Sequence, residues 1–189
     1  MKWTLFLLVL TLSANVQSQV DKPSELGDAT IAKKADPKLH ADAIRLVEVS
    51  RARQRIQDNL KQMVDDGAKQ MLEKCSRCTV EFRDEWKKRF LERTNIDDYL
   101  AVIVRAYEKY FTDAEINELI AFQKEKDASK DASPSPALKE KLSSVMPSVL
   151  GEIMGGCAGI GAKLGAEIGS EIEREHPEYM KPPADVNKP

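Results

Sequence analysis

The sequence predicts an all-α fold, a compact bundle of about six or seven helices between a disordered leader and a disordered tail. Three observations carry this. Apolar residues recur every three or four positions along most of the chain. No stretch alternates apolar and polar residues as a half-buried strand would. Helix starts are also written in capping residues, most fully in Phe111-Thr112-Asp113-Ala114-Glu115-Ile116. There Thr112 and Glu115 are spaced for the reciprocal hydrogen bonds of a capping box, and Phe111 and Ile116 for a hydrophobic staple.

The elements follow in order. Residues 1–18 read as a secretory signal: Lys2, an apolar stretch from Trp3 to Leu12, then a polar exit with Val16 and Ser18 at the two small positions before a cut. The apolar stretch is too short to span a bilayer, which takes about 20 residues, and no membrane span is expected after the signal is removed. Residues 19–35, with Pro23, Gly27 and unpatterned charge, form a flexible leader. One helical domain is expected over residues 36–176, a normal size for a chain with its own core. Asp36-Pro37 opens it, because Asp caps and Pro suits the first helical position. Leu39, Ala43, Leu46 and Val47 then share one face. The pattern runs on through Ile56, Leu60, Met63, Val64, Met71 and Leu72, with a break near Ser50 and a weak point at Gly67 as the two places where it could divide.

Cys75-Ser76-Arg77-Cys78 interrupts the pattern, and Thr79 caps the next helix. Phe82, Trp86 and Phe90 fall four apart and make one aromatic stripe, which belongs in a core. Asn95 opens a helix carrying Tyr99, Leu100, Ile103, Val104, Ala106, Tyr107 and Tyr110 on its apolar side. The capping box starts another with Ile116, Leu119, Ile120 and Phe122. Residues 126–136 contain a Lys-Asp-Ala-Ser direct repeat followed by Pro134 and Pro136, a solvated mobile loop. Ser135-Pro136 restarts a helix that Pro147 either kinks or divides.

The last helix is expected from about residue 148 to 175, and it holds seven of the nine glycines. Each weakens a helix interior by about 1 kcal/mol relative to Ala, so close packing must offset them. Gly161, Gly165 and Gly169 lie four apart beside Ala158, Ala162 and Ala166, a face on which another helix, in this chain or a second copy, can approach closely. Residues 177–189 are rich in Pro and read as a disordered tail.

The chemistry implied is sparse. Lys and Arg total 29 against 31 Asp and Glu. That near-balance leaves no cationic surplus for nucleic acid. No nucleophile motif, phosphate loop, calcium loop or zinc spacing occurs, so no catalytic residue, cofactor or metal is assigned. His40 and His176 are surface histidines, and Asp65-Asp66 and Asp97-Asp98 serve solvation and capping. The three cysteines, Cys75, Cys78 and Cys157, sit in an oxidising compartment if the chain is exported. A Cys75–Cys78 bond would contribute about 2 kcal/mol, whereas either one joined to Cys157 would close a long loop and contribute about 4.5 kcal/mol. The short pairing is favoured, with Cys157 buried as a free thiol in the small-residue helix and kept as the alternative partner.

Tyr107-x-x-Tyr110-Phe111-Thr112-x-x-Glu115-x-x-x-Leu119-x-x-Phe122, followed by Leu138-Lys139-Glu140-Lys141-Leu142 and Met146-Pro147, resembles the family called Domain of Unknown Function 2059. The resemblance covers about residues 102–169 and implies a small exported helical protein of a bacterial envelope. It implies no substrate, cofactor or site residue. The chain departs from the family pattern at Gln123 and the Lys-Asp-Ala-Ser repeat, where members have a short aromatic-Gly connection.

The expected function is therefore a binding or interaction module, periplasmic or secreted, with an envelope protein or a small apolar ligand as partner. Two alternatives stand beside it: a thiol–disulfide oxidoreductase using Cys75 and Cys78, and a structural oligomer, such as a homodimer, built on Gly161, Gly165 and Gly169. A pocket between Tyr99, Tyr107 and the glycine face would be the signature of a small-molecule site.

Overall fold

A computed structural model describes residues 36–128 and 132–181; the expected signal peptide and leader, the end of the tail and part of the Lys-Asp-Ala-Ser repeat lie outside the described residues. Among the described residues the fold is all-α: α1 (Pro37–Val49), α2 (Ala52–Lys74), α3 (Val80–Arg93), α4 (Ile96–Tyr110), α5 (Asp113–Ala128), α6 (Pro136–Glu175) and a 3-10 turn at Pro177–Tyr179.

The helix starts are built as their sequences require. The Asp36 carboxylate accepts from the Lys38 amide at 2.9 Å. Thr79 accepts from the Phe82 amide at 3.3 Å, Asn95 from the Asp97 amide at 3.1 Å and Ser135 from the Leu138 amide at 3.3 Å. At α5 the capping box closes: the Thr112 amide donates to Glu115 Oε2 at 2.7 Å, and the Glu115 amide donates to Thr112 Oγ1 at 3.4 Å. Phe111 and Ile116 are both buried in the same core, completing the staple.

Two cores result, and α6 runs through both. The first joins α1, α4, α5 and the first half of α6 around Ala43, Leu46, Ile116, Ile120, Leu138 and Val149. The second joins the end of α2, α3 and the second half of α6 around Val64, Phe82, Phe90, Ile168 and Ile172. A 40-residue helix rises about 60 Å, so α6 is the spine along which the other helices are arranged.

Of the two places where the pattern could divide, the chain breaks near Ser50, and Gly67 stays inside α2. Arg51 makes the break with φ 56° and ψ 33°, a left-handed backbone that turns α1 into α2. α5 extends to Ala128, into the segment expected to be loop. Pro147 does not begin a new helix, and α6 is continuous through it. Pro147 and Ser143, whose carbonyl lacks the usual donor, are both exposed, so water can take that donor's place. Leu142 and Val149, on either side, are held in the first core and keep the two segments aligned. Continuity also makes α6 long and apolar enough, by length and composition, to cross a membrane, with an 18-residue window of mean hydropathy 1.3 that is 6% buried. Here it packs on α3 and α4, and its Glu152 is bonded to Lys109 and Tyr110.

The tail boundary also moves. Residues 177–181 are not free but fold back on the connection between α2 and α3. The Thr79 amide donates to the Tyr179 carbonyl at 3.2 Å, and the Lys181 amide donates to the Arg77 carbonyl at 2.7 Å. His176 stacks on Tyr179 with ring centroids 4.7 Å apart, fixing the direction in which the chain leaves α6.

Candidate functional site

The seven glycines of α6 divide by what faces them. An ideal Cβ at Gly156 would stand 2.6 Å from Val102 Cγ1 of α4. At Gly165 it would stand 3.0 Å from Trp86, and at Gly161 and Gly169 it would stand 3.9 Å from Phe90 and 3.8 Å from Phe82. The row Gly161, Gly165, Gly169 therefore receives the aromatic stripe of α3 from its own chain. Trp86 Nε1 donates to the Gly165 carbonyl at 2.9 Å, and the Trp86 and Phe90 rings lie 4.8 Å apart. Ion pairs close the edge of this seam: Arg93 with Glu171 at 2.6 Å, and Arg89 with Glu175 at 2.8 Å and Glu85 at 2.7 Å. Gly151, Gly155 and Gly159 have nothing among the described residues within 4 Å of an added Cβ. With exposed Met154, Ala158, Ala162 and Ala166 they form an open small-residue face.

Cys75 and Cys78 are bonded, with Cα atoms 5.4 Å apart, so the short pairing expected is the one seen. Cys75 is the C-cap of α2. The carbonyl end of a helix disfavours a thiolate, the reverse of the helix N-terminus that activates redox cysteines. Cys78 is buried and bridged to Met180 by the returning tail. The bond thus clasps the α2–α3 connection and the chain end together. Cys157 is free, but it is half-buried and not fully buried as expected. Burial pushes its thiol pKa up, which makes it a poor nucleophile.

Tyr99 and Tyr107 make different contacts. The Tyr99 hydroxyl lies 3.8 Å from a Cβ built on Gly161, whereas the Tyr107 ring packs at a tilt on Phe111 in the first core, with centroids 5.7 Å apart. Burial raises both phenol pKa values. An open groove of about 540 Å³ runs instead between α1 and α4, floored by Ile44, Val47, Leu100 and Val104. Periodicity alone could have placed these four on apolar faces but not on either side of one groove.

The charged groups are mostly paired. Asp65 is held below the usual carboxylate range by Lys87 and Lys61, which ties α3 to α2. Asp42, the one buried charged residue among those described, is lowered chiefly by Asn117, whose Nδ2 donates to it at 2.7 Å and ties α5 to α1. Lys109 and Tyr110 lower Glu152. His40 Nδ1 lies 2.6 Å from Glu108 and His176 Nδ1 lies 3.0 Å from Glu178. No group of His, Cys, Asp or Glu among the described residues could hold a metal ion.

The chain matches no protein-family model, no curated protein and no solved structure. The resemblance to Domain of Unknown Function 2059 thus rests only on the residues quoted for it.

Proposed function

We propose that the protein is an exported, non-catalytic interaction module of the bacterial envelope that docks a second copy of itself along the open face of α6. The division of the glycines carries this reading. Gly151, Gly155 and Gly159 weaken α6 by about 1 kcal/mol each relative to Ala, yet no neighbour among the described residues uses the space they leave. A second helix lying on them supplies the missing contact. Only 6% of the apolar window of α6 is fully buried, which leaves apolar surface for a partner.

An antiparallel copy fits the residue order. About a centre between Ala158 and Gly159, Gly151 faces Ala166 of the copy and Gly155 faces Ala162. Glu152 and Lys163 lie on one flank of this face, and at 1.5 Å per residue each comes within about 3 Å, along the axis, of its opposite in the copy. Lys163 forms no ion pair among the described residues. Export is supported by the N-terminal signal pattern and by the disulfide, a bond suited to an oxidising compartment. The oxidoreductase alternative finds no support in a Cys75 placed at a helix C-terminus.

Sedimentation equilibrium of the oxidised protein tests the reading. A reversible dimer, abolished by Gly155→Leu with helicity unchanged and weakened by Lys163→Glu, is expected. A monomer up to millimolar concentration, or a dimer indifferent to Gly155→Leu, overturns it; insertion of α6 into lipid vesicles would replace it with a membrane role.

A further inference from the structure

We propose that the groove between α1 and α4 is a binding site for an anionic amphiphile, a molecule with an alkyl body and a single carboxylate or phosphate head. The floor is apolar: Ile44 is 39% exposed and Leu100 is half-buried, over the buried Val47 and Val104. A volume of about 540 Å³ is within the usual range of small-molecule sites.

The rim supplies the charge. Arg51, Arg53 and Arg105 line it against Glu48 and Asp97, a surplus of one positive charge that matches a monoanion. Arg53 is occupied by Asp97. Arg51 reaches Asp127 only at 4.0 Å, with its side chain 76% exposed, and Arg105 forms no ion pair among the described residues. Two guanidinium groups are therefore available at the edge of an apolar floor, and Arg suits both carboxylate and phosphate heads.

Arg51 carries the second, independent observation. It is the one non-glycine residue with positive φ among those described, and its amide donates to the Glu48 carbonyl at 2.9 Å to close the turn. Glycine adopts that backbone without strain, whereas a residue with a Cβ does not. A strained position that carries a long cation on the rim of an apolar groove is one where the side chain has a task of its own.

The test separates the task from the fold. Titration of the oxidised protein with dodecanoate should show saturable one-to-one binding, with dodecanol and dodecyltrimethylammonium at least tenfold weaker. Arg105→Ala and Arg51→Gly should each weaken dodecanoate tenfold. Arg51→Gly should also raise the thermal midpoint by about 2–4 °C by relieving the backbone, so lost binding cannot be ascribed to unfolding. Binding to dodecanoate without binding to phosphatidylglycerol vesicles identifies a free amphiphile as the ligand; binding to those vesicles and not to phosphatidylcholine ones identifies a lipid head. Equal affinity for dodecanol and dodecanoate, unchanged affinity in both Arg variants, or no binding to either anionic probe overturns the proposal.

Discussion

Trp86 of α3 reaches across to α6 and donates its indole N–H to the Gly165 carbonyl at 2.9 Å, while its ring fills the space in which a Gly165 side chain would stand. The two halves of this contact depend on each other. Only a bare backbone admits the ring, and only the ring's N–H gives the half-buried indole its partner. Trp86→Phe keeps most of the ring and removes the bond, and we expect a loss of about 1 kcal/mol in urea unfolding. Gly165→Ala should lose a similar amount, because the clash with the pinned ring outweighs the gain in helix propensity.

Gly156 and Gly159 should respond to alanine with opposite signs. A Cβ at Gly156 meets the stiff, β-branched Val102 at 2.6 Å, and overpacking of that kind should destabilise by about 1–3 kcal/mol. A Cβ at Gly159 meets nothing, so the same change should stabilise the monomer by up to about 1 kcal/mol. Chemical denaturation of the two variants at low protein concentration reads both signs directly.

Reducing the Cys75–Cys78 bond should lower stability by about 2 kcal/mol without removing helix. The effect should reach the chain end. Hydrogen exchange at the Thr79 and Lys181 amides, which bond across to the Tyr179 and Arg77 carbonyls, should quicken more than exchange in α4.

Acid should weaken the protein through carboxylates that bridge helices. Asp65, Asp42 and Glu152 all have folded pKa values below their ordinary ones, through Lys87, Asn117 and Lys109 respectively. A group depressed on folding contributes stability that is present above its unfolded pKa and is lost as pH falls through its folded pKa. The urea midpoint should therefore be flat with respect to these groups from pH 7 to about 5 and fall below about pH 4. Asp65→Asn should flatten part of that fall.

Much of the framework was legible because it is local. Asp36, Thr79, Asn95, Thr112 and Ser135 cap helices through bonds to amides two or three residues away, so the partners are adjacent in the sequence itself. The aromatic stripe was legible for the same reason, since a four-residue spacing keeps Phe82, Trp86 and Phe90 on one side of α3. Arg51 was not legible as a left-handed residue: Ser50 and Gly67 stood as equal places to divide, and the turn after Ser50 goes with the packing of α1 and α2 on α4. The ordered tail was hidden likewise, because its partners Arg77 and Thr79 lie about a hundred positions away.

That the chain is helical, where most of its helices begin, and that Cys75 and Cys78 are close enough to bond can all be read from the order of residues. Those outcomes depend on hydrogen bonds and side-chain spacings that span a few residues. Which of the α6 glycines receive a neighbour and which stay open is set by packing between helices. That depends on how α6 is rotated about its own axis, and with successive residues about 100° apart the rotation is fixed by α3 and α4 pressing on it, not by anything within the helix.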